Sequence, residues 1–230
     1  MKARFVRYQW ENSARTIATF FFQPEFTYRY QAGQYAILQL PHDNVDNRGT
    51  QRTMTLSSSP DDELLAFTMK IYHTNSSSFK QALLDIKPGH KIMIFESLGD
   101  LVLPLSSTIP LVFIAGGIGI ASFTGMTTWL AEHNDKRDIQ LHYVVARPED
   151  VVLQQPFDNY EKTGRLTRYT HSPNDPRLTG QTILNTAQPH SLFYLSGTEK
   201  LVMALTSELL ADGVLRGRIV FDYFDGYSEL

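Results

Sequence analysis

Residues 110–130 read PLVFIAGGIGIASFTGMTTWL. Leu111–Ala115 is a short apolar run, suited to a strand covered on both faces in a parallel sheet. Gly116, Gly117 and Gly119 follow at once. From Ile120 the chain can continue as a helix, with Phe123, Met126, Trp129 and Leu130 spaced for one buried face. Strand, glycine turn and helix together make a phosphate site. The glycines let backbone approach a diphosphate, and the helix N-terminus offers free N–H groups and the positive end of its dipole. A tight turn that only packs a helix onto a sheet would carry the same residues, and the third glycine of the usual G-x-G-x-x-G is absent.

Outward from this stretch the chain changes rhythm. Downstream, strand candidates Leu111–Ala115, Ile139–Ala146, Arg165–Thr170, Leu192–Ser196 and Arg218–Phe221 alternate with helical segments. The helices are Ile120–Asn134, a weaker one near Glu149–Lys162, a short one near Gly180–Ala187, and Glu199–Asp212. Such alternation predicts an open, doubly wound parallel sheet. Upstream, six strand candidates (Ala3–Tyr8, Thr16–Phe22, Tyr35–Leu40, Thr53–Leu56, Leu64–Tyr72 and Lys91–Phe95) surround one short helix, Ser77–Leu84. That predicts an antiparallel β-barrel. The junction falls in Leu101–Thr108, giving a barrel domain over 1–104 and an α/β domain over 105–230.

Composition narrows the chemistry. The 230 residues, 42% of them hydrophobic, suffice for two cores. With no cysteine, these residues hold no disulfide, thiol nucleophile or cysteine-ligated metal. A net charge of −3 without a long basic run gives no footprint for nucleic acid. No apolar run approaches the roughly 20 residues of a membrane span, and the start lacks a signal-peptide block. The expectation is a cytoplasmic protein.

Four further stretches bear on function. Arg52–Pro60, RTMTLSSSP, sets a guanidinium before a series of hydroxyls. Arg pairs well with phosphate, although a strand ending in a serine-rich turn would look alike. Thr74–Lys80, TNSSSFK, opens a helix, where capping alone accounts for Ser77. Leu192–Lys200, LFYLSGTEK, ends a strand at Ser196-Gly197, beside the glycine turn if ligands gather at the carboxyl ends of strands. The chain closes on FDYFDGYSEL, whose aromatics could cover a planar ligand.

Taken in order, these stretches resemble the ferredoxin–NADP reductase superfamily over about residues 1–227. The family pattern R-x-[YF]-[ST]-x-x-S-x-P resembles Arg52, Thr55, Ser58 and Pro60. G-G-x-G-x-x-P-F is similar to Gly116, Gly117, Gly119 and Phe123. C-G-P resembles Ser196-Gly197-Thr198, and [ED]-x-F-x-G-Y resembles Asp222, Phe224, Gly226 and Tyr227. Leu98–Pro104 resembles the segment that joins the two domains.

The resemblance implies FAD in the barrel and NADH or NADPH in the second domain, with FMN left open because no adenine clamp is visible. Arg52 would contact the flavin diphosphate, with Ser76, Ser77 and Ser78 at the helix start. Thr53, Met54, Ser58, Met69 and Lys70 would line the flavin, and Thr55 would face its N5 region. Gly116, Gly117 and Gly119 would lie at the nicotinamide diphosphate, Arg147 near a 2′-phosphate, and Ser196, Gly197 and Thr198 near the nicotinamide. Thr55, Ser196, Asp222 and Phe224 make up the implied catalytic set, Asp222 relaying a proton and Phe224 covering the flavin. Hydride would pass from NAD(P)H to flavin, then electrons to a protein acceptor, such as ferredoxin or flavodoxin, or to a small molecule. A flavin subunit that works only in a complex, and a sensor without turnover, carry the same motifs. Four positions depart from the family: Met54 for an aromatic, Ser122 for proline, Ser196 for cysteine and Thr198 for proline.

Overall fold

The computed structural model describes residues 1–72, 74 and 76–224, the side chain of Phe224 excepted. Six antiparallel strands form the first sheet: β1 (Lys2–Trp10), β2 (Ile17–Pro24), β3 (Tyr35–Gln39), β4 (Gln51–Thr55), β5 (Leu65–Lys70) and β6 (Lys91–Leu98), in the order β4-β3-β6-β1-β2-β5. The two end strands meet where Leu56 bridges Phe67 and the Ser57 N–H donates to the Ala66 carbonyl at 2.8 Å. Closure leaves no free sheet edge there. Alternation sends Phe5, Phe20, Phe22, Leu38, Phe67 and Ile94 inward, where all are buried. Helix α1 (Ser78–Asp85) adds Phe79 and Leu83 to that core.

The second sheet is parallel, with β7 (Leu111–Gly116), β8 (Ile139–Val144), β9 (Leu166–His171), β10 (Leu192–Thr198) and β11 (Ile219–Phe224) in the order β11-β10-β7-β8-β9. Every residue of β7 is buried, as expected of a central strand. Leu111, Phe113 and Ala115 face α2 (Ile120–Glu132) and α3 (Gln154–Glu161), whereas Val112 and Ile114 pack in the core with α4 (Gly180–Leu184) and α5 (Glu199–Ala211). Helices therefore cover both faces. The two-domain fold is the one expected, a closed antiparallel sheet followed by a doubly wound parallel one.

The expected helix over 149–162 is shorter in the structure. Pro148–Asp150 forms a single 3-10 turn, Leu153 has a φ of 57°, and α3 starts only at Gln154. Tyr143 donates to the Asp150 carbonyl at 3.0 Å, and Arg147 pairs with the Asp150 carboxylate at 3.3 Å. These bonds hold the turn apart from the helix. Pro156 then sits in the first turn of α3, where its missing N–H costs no helical bond.

The two sheets share packing. Ile17 of β2, together with Ala32 and Leu101, belongs to the core formed by β7, α2 and α3. A Cβ on Gly125 of α2 would lie 2.4 Å from the Ser58 carbonyl oxygen, so only glycine lets the helix touch the barrel there. Tyr194 of β10 donates to the Val102 carbonyl at 2.8 Å, and Ser59 Oγ donates to Glu132 Oε2 at 2.5 Å. Among the described residues no helix is long and apolar enough to cross a membrane.

Candidate functional site at the domain seam

Strand order in the parallel sheet reverses between β7 and β10, and ligands of open α/β sheets bind at such a switch point. Both chemistry-bearing turns lie there. Ala115 pairs with Ser196, so the glycine turn and Ser196-Gly197-Thr198 stand side by side. Their glycines differ in purpose. A Cβ on Gly119 would fall 2.1 Å from the Ser196 carbonyl oxygen, and one on Gly197 would fall 3.0 Å from the Gly116 Cα. Those two let the strand ends touch. Gly117 has a φ of 51° with nothing within 4 Å of a Cβ, so its backbone is open on that side.

Ser122 and Ser196, both fully buried, share a hydrogen bond of 3.1 Å between their hydroxyls. Two of the departures from the family pattern thus meet each other, each supplying the partner that the other's buried hydroxyl requires. A third has its own local reason: Thr198 caps α5, its hydroxyl accepting from the Leu201 N–H at 3.4 Å. Asp222 pairs in register with Ser196, on the neighbouring strand, and Phe224 with Thr198. The Phe224 ring and the Gly226-Tyr227 pair lie outside the described residues.

The barrel brings a second set of groups to the seam. The β5 strand, ending at Lys70, approaches the Gly117–Gly119 turn. The Lys70 carbonyl accepts from Lys80 Nζ at 2.7 Å. Burial and the neighbouring Arg52 and Arg48 charges push the Lys80 ammonium down to about 8. Lys70 is lowered as well, chiefly by burial, while Asp150 raises it and Arg147 and Lys80 lower it. Cations therefore run from Arg48 and Arg52 through Lys80 and Lys70 to Arg147. Thr55 Oγ1 and Ser76 Oγ are buried without a hydrogen-bond partner among the described residues. Leaving a buried hydroxyl unpaired costs about 1–3 kcal/mol, so both are suited to a polar ligand.

Other predicted residues have partners of their own. Ser77 caps α1, accepting from the Lys80 N–H at 3.3 Å. Ser58 is held by the Tyr30 hydroxyl at 2.8 Å and accepts from the Ala66 N–H at 3.0 Å. The Met69 side chain is buried in the barrel core and Met54 packs against it, whereas Thr53 is exposed. Arg52 Nη1 donates to the carbonyls of Arg48, Gly49 and Gln51 at 2.8, 3.0 and 2.5 Å. Arg147 is tied to Asp150, and Arg168, within β9, is tied to Gln154, Asp158 and Glu161 around α3.

Sequence reasoning passed over Tyr30, His42, Asp46, Arg48 and Lys80. The spacing D-x-R in a loop just before Arg52, and the lysine in S-S-F-K, were the available signals. It also passed over a buried chain on the sheet: Gln140 Nε2 donates to His142 Nε2 at 2.5 Å, and His142 Nδ1 meets His171 Nε2 at 3.1 Å. With Nε2 accepting, the His142 proton is on Nδ1. Burial, then the His171 charge, push His142 down to about 4.

No family model matches the chain. It is 26% identical over 147 residues to terephthalate 1,2-dioxygenase, reductase component 1, of Comamonas sp, covering 64% of this chain and 42% of that protein. It is 24% identical over 241 residues to a Bacillus cereus flavohemoprotein, covering 93% of this chain and 58% of that one. The chain thus spans about half the length of these curated relatives. Among solved structures, ferredoxin-NADP+ reductase from Plasmodium falciparum with 2′P-AMP superposes with a TM-score of 0.82 at 15% identity, covering 97% of this chain and 95% of that one. The flavohem-like FAD/NAD binding domain of nitric oxide dioxygenase from Vibrio cholerae gives 0.80 at 18%, covering 96% and 98%. The chain shares the two-domain fold of these solved structures, the fold that the resemblance carried by the motifs implies.

Proposed function

We propose that the chain is an FAD-dependent NAD(P)H oxidoreductase that hands electrons to a partner protein. The observation that carries this is the seam itself. An open glycine turn at the switch point of the parallel sheet meets the cation-lined end of β5 from the barrel. The likeness to the FAD/NAD binding domain of the Vibrio cholerae nitric oxide dioxygenase supports the two cofactors. The residues fit a flavin: two buried hydroxyls, Thr55 and Ser76, want partners, and Arg52 and Lys80 supply positive charge for a diphosphate. FAD when bound supplies the chemistry of taking a hydride and releasing electrons singly.

The protein's part is to bind and to orient. Gly117 would give a dinucleotide open backbone, while Gly116 and Gly119, packed on Leu201 and Ser196, hold the turn in place beside it. Arg147, three residues past the end of β8, would contact a 2′-phosphate if NADPH is the donor. Ser196, braced by Ser122, and Gly197 would lie beside the nicotinamide, with Asp222 next to them to orient it or hold a proton. Thr55, whose buried hydroxyl has no partner among the described residues, would help to hold the flavin. Residues 1–104 and 105–230 divide these tasks between flavin and nicotinamide.

The acceptor is a ferredoxin, a flavodoxin or an oxygenase component. Names such as terephthalate 1,2-dioxygenase reductase component and carnitine monooxygenase reductase subunit support a chain that serves a second protein. Without cysteine, these 230 residues have no thiolates for an iron–sulfur centre of their own. Anaerobic mixing with NADH and with NADPH, followed in the visible flavin band, tests the reading. Bleaching by one of them is expected. A yellow protein that neither bleaches would overturn it.

A further inference from the structure

The loop between β3 and β4, residues 41–50, carries an acid into the cation cluster. Asp46 Oδ2 accepts from Arg48 Nη2 at 2.6 Å, Arg48 Nε at 3.2 Å and the Ser78 N–H at 2.9 Å. Oδ1 accepts from the Arg48 N–H at 3.0 Å and Arg52 Nη2 at 3.4 Å. Two guanidiniums and the first amide of α1 thus converge on one carboxylate. An Asx turn explains the Arg48 amide bond, but not those to Ser78 and Arg52. The Asp46 N–H returns a bond to Ser78 Oγ at 3.0 Å, and His42 Nε2 lies 2.9 Å from the same oxygen. Lys80, almost wholly buried, flanks the cluster from the helix side. The Arg48 and Ser78 hydrogen bonds hold the Asp46 carboxyl well below the usual carboxylate range.

The donors on Asp46 are what a phosphoryl group asks for, fork-shaped guanidiniums and a helix-start N–H, and the buried Lys80 ammonium adds positive charge beside them. We infer that Asp46 is an internal stand-in for a phosphoryl group, occupying the donors that a dinucleotide diphosphate needs and thereby setting how tightly the barrel holds it. The inference rests on the flavin reading for the identity of the dinucleotide, though not for the competition itself. Diphosphate enters by displacing Asp46 from Ser78 and Arg52. The loop is open to an entering ligand, since Val45 and Arg48 are exposed. Displacement leaves Asp46 a partner, because Arg48 lies on the same loop.

Asp46→Asn and Asp46→Ser remove the charge and keep a side chain able to cap the turn, in the full chain freed of flavin. Calorimetric titration with inorganic pyrophosphate, and fluorescence titration with FAD and riboflavin, are the measurements. Both variants should bind pyrophosphate and FAD roughly tenfold tighter than the parent, with riboflavin unchanged. Adding Arg52→Ala should cancel the gain. Pyrophosphate affinity that is unchanged or weaker in both variants would overturn the inference, and so would an equal gain for riboflavin. If no flavin binds any of these proteins, the flavin reading fails. The pyrophosphate titration still decides whether Asp46 competes with an anion.

Discussion

At the scale of single residues, the informative positions are those that break the family pattern. Ser122 and Ser196 look like two independent losses until their hydroxyls are seen 3.1 Å apart in a fully buried site. Removing either one strands the other. Ser122→Ala and Ser196→Ala should each cost about 1–3 kcal/mol, and the double variant distinctly less than their sum. Urea unfolding of the four proteins gives the coupling, and strictly additive costs would show that the pair is not a unit. His142 makes a second residue-scale prediction. Its pKa falls from about 6.5 unfolded to about 4 folded, so the unfolded chain takes the proton first as pH drops. Stability should therefore decline between roughly pH 6.5 and 4, by at most about 3 kcal/mol from this residue. His142→Asn should flatten the decline in urea midpoints relative to the parent, whereas parallel curves would assign acid sensitivity elsewhere.

At the scale of elements, the glycine turn separates two effects that its sequence merges. Gly119→Val drives a side chain into the Ser196 carbonyl and should lower the melting temperature sharply. Gly117→Val meets open space, so the cost is the positive φ alone, about 1–2 kcal/mol. The Gly117 variant should fold, keep its flavin and lose reduction by NAD(P)H. Flavin content beside anaerobic reduction rates checks this, and an unchanged rate would make the turn merely structural. The strands were legible because alternation and apolar runs record burial directly. The switch-point neighbours followed from strand order, which β-α alternation constrains. The cation cluster was legible only in part: Arg52, Lys70 and Arg147 came with the resemblance, whereas Arg48, Lys80 and Asp46 did not. Its members come from a loop, a strand and a helix, and only tertiary folding brings Asp46 to Ser78. Likewise, Leu153 at a φ of 57° divides what reads as one helix over 149–162, because the Tyr143 and Arg147 bonds to Asp150 prevail over helical tendency.

For the whole molecule, a boundary in sequence is not a boundary in packing. Leu105, Ser106 and Ser107 are exposed, yet Ile17 and Ala32 from the barrel side belong to the core of α2. A protease nick within Leu105–Ser107 should therefore leave two fragments that travel together in gel filtration, held by Leu101, Gly125 and the Ser59–Glu132 bond. Fragments that separate at once would show that the seam is weaker than its contacts. Gly125 has one more consequence. Backbone resting on backbone at Ser58 has the low compressibility of close-packed protein interior, with no side chain between helix and barrel to give way. On the proposed function, the gap between a flavin and a nicotinamide held across that seam is then a fixed length of the material. Added viscogen should leave the internal hydride step unaltered and slow only the encounter with the acceptor.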